Sequence, residues 1–211
     1  LIVERGATIL ADGSKTQPIT FRSALADAHL PQSGVWGGLI VMGNAPVFQE
    51  SDYATNGGNT VEGITGHYYG GTDAADSSGT LRYVRVWHGG AVIGSDNEIN
   101  GITLAGVGSG TTVEYCEVAY NQDDGFEMFG GTVNLKYISA VFCGDDGIDT
   151  DLGYQGKIQF AFVAVGKDGH HATEMDSTKP LGASDYNGSP RSFPQVYNAL
   201  FVGHTNGTVG S

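Results

Sequence analysis

Several things are scarce in this 211-residue chain. It has two cysteines, ten basic residues and no apolar run approaching the roughly 20 residues of a membrane-spanning helix. The missing run excludes membrane insertion by a helix. The shortage of Lys and Arg, set against 23 acidic residues, gives a net charge of −13. A chain this acidic repels nucleic acid and anionic membrane surfaces and suits a cation or a salty exterior. Cys116 and Cys143 fall at different points of the repeat described below. Two readings stay open for them: a disulfide, or a buried thiol with a corner thiol. There is no phosphate loop, no Ser/His/Asp spacing and no Cys/His cluster. No signal peptide precedes Leu1-Ile2-Val3-Glu4, which reads as strand, so a processed or trimmed fragment of a longer solenoid is expected.

Glycine is abundant: 34 of 211 residues, about twice the usual share of roughly 7%. That excess fits many tight corners, because Gly takes φ > 0 without a Cβ clash. Asp123-Asp124-Gly125 is followed by Asp145-Asp146-Gly147 and then Lys167-Asp168-Gly169, each Gly 22 residues beyond the last. The hexads before them, Val113 to Val118 and Leu135 to Ala140, match each other and match Leu81 to Val86. Short β-branched and aromatic segments repeating at this period predict a solenoid with one coil per repeat. The expected fold is all-β, a right-handed parallel β-helix of about 22 residues per tight coil. It spans residues 1–211 as one domain, with loops thrown out at about 44–79, 88–100 and 177–194. Residues 23–29 have weak helical character.

Period-two alternation assigns faces. Arg82, Glu114 and Lys136 form an outward polar column, and Tyr83, Tyr115 and Tyr137 are expected to face inward. The next columns read Val84/Cys116/Ile138/Phe160 and Val86/Val118/Ala140/Phe162, with a bend between Tyr115 and Cys116. Beyond each Asp-Gly, Glu127, Asp149 and His171 are expected to stack outward, one per coil and roughly 4.8 Å apart. Residues 121–152 hold seven acids and one base, Lys136. Like charges opposed across strands repel, so hydrogen-bond donors, a cation or raised pKa values must compensate.

Three readings compete for the acids. Asp124, Asp146 and Asp168 serve as corner residues capping backbone N–H groups. Alternatively Asp123, Asp145, Glu127 and Asp149 bind Ca²⁺, which takes six to eight oxygens in flexible geometry. The third reading is catalysis by Glu127, Asp149 and His171, since paired carboxylates suit glycoside hydrolysis. A zinc site at His170-His171 is disfavoured, because neighbours on a strand point to opposite faces. Tyr53, Tyr68 and Tyr69 lie in the first long loop and read either as sugar-stacking residues or as packing. Asn187-Gly188-Ser189 and Asn206-Gly207-Thr208 match the glycosylation sequon weakly.

The stretches Trp36-Gly37-Gly38-Leu39, Tyr69-Gly70-Gly71-Thr72-Asp73, Ser78 to Arg85, Asn97 to Gly101 and Asp123 to Glu127 carry a resemblance. With them and with Leu1 to Ala7, almost the whole chain resembles secreted or cell-surface bacterial parallel β-helix proteins of pectate-lyase-like fold. The resemblance implies fold and an exported location, and says little about activity. Gly144 to Asp149 is similar to acidic motifs of β-helical polygalacturonases, but their Gly-His-Gly and Arg-x-Lys are missing here. The leading expectation is a non-catalytic structural or adhesive domain, calcium-stabilised and carbohydrate-binding, with a polysaccharide or cell-surface matrix as partner and self-association at the coil ends. The alternative is a polysaccharide lyase or glycoside hydrolase.

Overall fold

A computed structural model describes residues 1–25, 27–29, 32–61, 64–94, 97–177 and 188–204. The hexads pair as their repeat requires: Val113 lies beside Leu135 and Leu81, and Val118 beside Ala140 and Val86, all in parallel. The chain winds through three faces per coil. The first face stacks Ile2–Val3, Leu39–Met42, Ile102–Ala105, Phe126–Phe129, Ile148–Asp151 and Thr173–Met175. The second runs from Ile9–Asp12 through Gly79–Arg82 and Thr112–Glu114 to Gln195–Tyr197. The third runs from Ile19–Arg22 through Val84–Trp87 and Glu117–Ala119 to Leu200–Val202. In between, Asn134–Val141 and Lys157–Ala164 each serve both the second and third faces. The architecture is a parallel β-helix, and its interior is a continuous column that includes Leu39, Leu81, Val113, Phe126, Leu135 and Ile158.

The corner between the second and third faces corrects the sequence expectation. Tyr83, Tyr115, Tyr137 and Phe160 adopt left-handed φ values of 50°, 55°, 56° and 58°. One left-handed residue resets the alternation, so Val113 and Cys116 both point inward while Tyr115 turns outward. The rings then stack along the solenoid, with centroids 4.5, 4.5 and 4.8 Å apart. Left-handed backbone costs roughly 1–2 kcal/mol per non-glycine residue, and each stacked pair returns about 0.5–1.5 kcal/mol. Phe160 joins this ladder because the next coil is one residue longer: Leu135 pairs with Ile158 and Ile138 with Ala161. Phe162 therefore faces solvent, and Val163 takes the interior position beside Ala140. Replacing Tyr137 by Ala removes two stacked neighbours and keeps the strained corner. A loss of about 1–2 kcal/mol is expected in denaturant unfolding; a neutral result would mean that the ladder contributes nothing.

Arg82 bonds Asp12 at 2.9 Å and reaches Glu114 at 3.4 Å, so the alternating charged column forms at its N-terminal end. Lys136 sits over the Tyr137 and Phe160 rings. Both cysteines are free and buried, and burial pushes each thiol up to about 12. The disulfide reading is not realised. Among the described residues of 23–29 the helical tendency yields a short 3-10 turn, Asp27–His29.

The outer side of the first face positions the site. Its two outward columns read Ile40, Thr103, Glu127, Asp149, Glu174 and Met42, Ala105, Phe129, Asp151. They are apolar in the early coils and acidic in the later ones. The long loop after Met42 folds back over the apolar part. It carries a helical turn, Tyr53–Asn56, and an antiparallel ribbon of Asn59–Thr60 with Tyr68–Tyr69. Val47, Val61 and Tyr69 form a second core there with Ile40, Met42, Ala105, Phe129 and Leu152. Arg5 holds the loop by donating to the carbonyls of Gly57 and Gly70 at 2.6 and 2.8 Å.

Candidate functional site: an acidic corner beside the first face

The turn entering the first face repeats with strict register. Gly101 bonds Asp124 and Gly125 bonds Asp146 through their backbones. Asn100, Asp124, Asp146 and His171 therefore occupy one column, and Ile99, Asp123, Asp145 and His170 the next. Asp124 Oδ1 accepts the backbone N–H of Asp146 at 2.9 Å, and Asp146 Oδ1 accepts that of His171 at 2.7 Å. Each carboxylate thus caps the following coil, with only Gly small enough beside it: a Cβ on Gly125 would lie 2.5 Å from the Gly147 carbonyl.

His171 does not continue the Glu127–Asp149 column. The turn after Asp151 is one residue longer and the turn after Ala164 two residues longer, so Ile148 pairs with Thr173 and Asp149 with Glu174. His170 and His171 fall instead on the corner, within 2.5 Å of Asp145 and 3.1 Å of Asp146. Asp168 is exposed, paired with Lys167, and among the described residues caps no corner. Sequence reasoning failed here because the third Asp-Gly keeps the 22-residue spacing while the coil itself grows by three residues. Glu174 was the acid missed; the signal was a second alternating segment, Thr173-Glu174-Met175.

Glu127 and Asp149 do lie side by side and point away from the interior. They are not exposed as expected: Glu127 is buried and Asp149 half-buried, at the edge of the loop-covered region. The four expected metal ligands divide between two groups, Asp123–Asp124–Asp145 and Asp124–Glu127–Asp149. Within each group the candidate ligand atoms lie within 4.8 Å of one another. Asp124 belongs to both and is the residue that links them. Asp146, His171 and Glu174 form a further group.

The electrostatics are one-sided. Burial, then Asp123 and Asp149, raises the Asp124 carboxyl to about 9. Burial, then Asp151 and Glu174, raises Asp149 to about 7. Asn100, 5% exposed, donates its Nδ2 to Glu127. Its Oδ1 and the Oδ1 of Asp149 are buried without a hydrogen-bond partner among the described residues. Oxygens without donors, gathered around crowded carboxylates, match the hard-oxygen set that Ca²⁺ takes.

The tyrosines proposed for sugar stacking do not form a platform. Tyr69 is 1% exposed with its ring 6.1 Å from that of Phe129. Tyr53 packs against the same second core, and Tyr68 is half-buried on the ribbon. Their apolar bodies are what attaches the loop to the coils. Lys136 stands over the aromatic ladder at the corner between the second and third faces, away from the acids, and Lys167 is paired with Asp168. Asn187 and Asn206 of the two sequons lie outside the described residues.

Three-faced parallel coils with capped Asp-Gly corners define a β-helix domain of pectate-lyase-like architecture. A family model for a pectate-lyase-like beta helix domain matches residues 1–210, and the chain belongs to that family. Comparison with curated proteins and with solved structures returns no match. Among the described residues, no helix is long and apolar enough to cross a membrane.

Proposed function

We propose that this chain is a structural, non-catalytic β-helix domain of a secreted or cell-surface protein, pinned at its acidic corner by calcium and set in a polysaccharide matrix. One observation carries the reading. Asp124, Glu127 and Asp149 bring candidate ligand atoms within 4.8 Å of one another at a largely buried site. The charges acting on Asp124 and Asp149 are all negative. In that setting the carboxyls either keep protons or share a cation. Burial of Glu127 beneath Asn100 also argues against the enzymatic alternative, because a polymer cannot reach it.

The test is calorimetric titration of the chelator-stripped protein with calcium, run beside assays for cleavage of neutral and acidic polysaccharides. Saturable binding that releases protons, without cleavage, is expected. Absence of calcium binding, or turnover lost in Glu127→Gln, would overturn the reading.

A pH dependence follows from the same groups. The unfolded carboxyls hold protons only to about their ordinary 3.8, while the folded ones hold them to about 9 and 7. Between those limits the folded state binds more protons, so its stability falls as pH rises. In chelator, the melting temperature should therefore decline between pH 5 and 9 through these two groups. Saturating calcium should flatten that decline. A melting temperature in chelator that rises steadily across this range would contradict the assigned shifts.

A further inference from the structure

A second column of left-handed corners follows the third face: His88, Tyr120 and Phe142, with φ of 62°, 56° and 57°. Their rings form a ladder, with centroids 5.3 and 5.7 Å apart. The ladder stops at Phe142. Val141 pairs with Ala164, so the next residue in the column is Val165, and Gly166 follows it. A short aliphatic side chain and a glycine leave space where a fourth ring would stand. Phe142 remains 44% exposed. An open cleft of about 550 Å³ lies here, walled by Tyr120 and Phe142 and floored by Cys143 and the Gly144 backbone. Its volume falls in the range of about 300–1,000 Å³ typical of small-molecule sites.

The rim is polar and electrically balanced. Lys167 and Asp168 pair with each other at 2.6 Å. Ser33 donates to Gln122 Oε1 at 2.6 Å, which orients that amide. His204 completes the rim. Gln122 and Gly144 directly precede Asp123 and Asp145 in the chain, so an anionic ligand would approach the most acidic corner of a molecule carrying −13. A cation would have to displace Lys167 from Asp168. What suits the cleft is an uncharged ligand with one apolar face for the rings and hydroxyls for the rim.

We infer that this cleft is a binding site for a neutral saccharide of one or two rings. It is separate from the acidic corner and does not depend on calcium. The aromatic wall takes the C–H face of the sugar. Gln122, Lys167 and Asp168 take its hydroxyls, with donors and acceptors both present.

The experiment is a screen of the full chain against an array of neutral and uronic-acid glycans, followed by ligand-observed NMR with the best neutral disaccharide, in calcium and in EDTA. Phe142→Asn removes the ring but suits the left-handed corner, since Asn tolerates φ > 0. Lys167→Ala with Asp168→Ala alters only exposed side chains. Binding of a neutral saccharide in both buffers is expected, about tenfold or more weaker in each variant, with circular dichroism unchanged. If Phe142→Asn fails to fold, the exposed double variant decides. No neutral glycan bound, a preference for uronates, or binding that persists in the exposed double variant would each overturn the proposal. Because the cleft is read in EDTA as well, its failure is distinguishable from failure of the calcium site.

Discussion

With calcium in hundredfold excess over its Kd, the protein is expected to gain about 2.7 kcal/mol over its chelator-treated form. Asp124→Asn should abolish that increment. It should also raise stability in chelator at pH 8. The amide oxygen of Asn can still accept the Asp146 N–H that Asp124 accepts at 2.9 Å, and the neutral amide avoids the cost of protonating on folding a carboxyl that burial, Asp123 and Asp149 hold up to about 9. Asp149→Asn should act in the same direction, relieving repulsion from Asp151 and Glu174. The two signs together separate this account from simple damage to the corner. Thermal melts of the three proteins in calcium and in EDTA provide the measurement. If Asp124→Asn is less stable than the parent in both buffers, the carboxylate acts only as a cap.

The second large effect concerns the loop. Tyr69→Ala should cost about 3 kcal/mol, because a side chain only 1% exposed leaves a hole against Phe129 and Val47 in the second core. The chain should then become sensitive to limited proteolysis within residues 43–78, while saccharide binding at the Phe142 cleft stays unchanged. A variant as stable as the parent that loses glycan binding would return Tyr69 to the sugar-stacking role that its burial argues against.

Legibility differed between the parts of the site. The Asp-Asp-Gly repeat is local, and its two 22-residue steps lead directly to the capped corner of Asp124 and Asp146. Glu127 and Asp149 were legible as neighbours because both follow an Asp-Gly at the same distance. Asn100 was not, since it heads a coil whose turn carries no Asp-Gly. Glu174 was hidden by a three-residue lengthening that leaves the Asp168-Gly169 spacing intact. The cleft at Phe142 had no sequence signal, because it depends on what the next coil fails to place beside the ring.

By itself the sequence determined the winding. A period of 22, alternating inward aliphatics and Gly-rich corners leave a parallel solenoid as the arrangement that buries every hexad. The tertiary structure alone decided which outward residues stay outside. Alternation says that Ile40, Phe129 and Met42 point away from the interior. It does not say that a loop anchored by Arg5, Val47 and Tyr69 returns to cover them. It also cannot foresee a left-handed Tyr115, whose single torsion sends an expected interior ring into an outer ladder. Both outcomes rest on contacts between residues far apart in the chain, where burial and stacking outweigh the local preference that periodicity records.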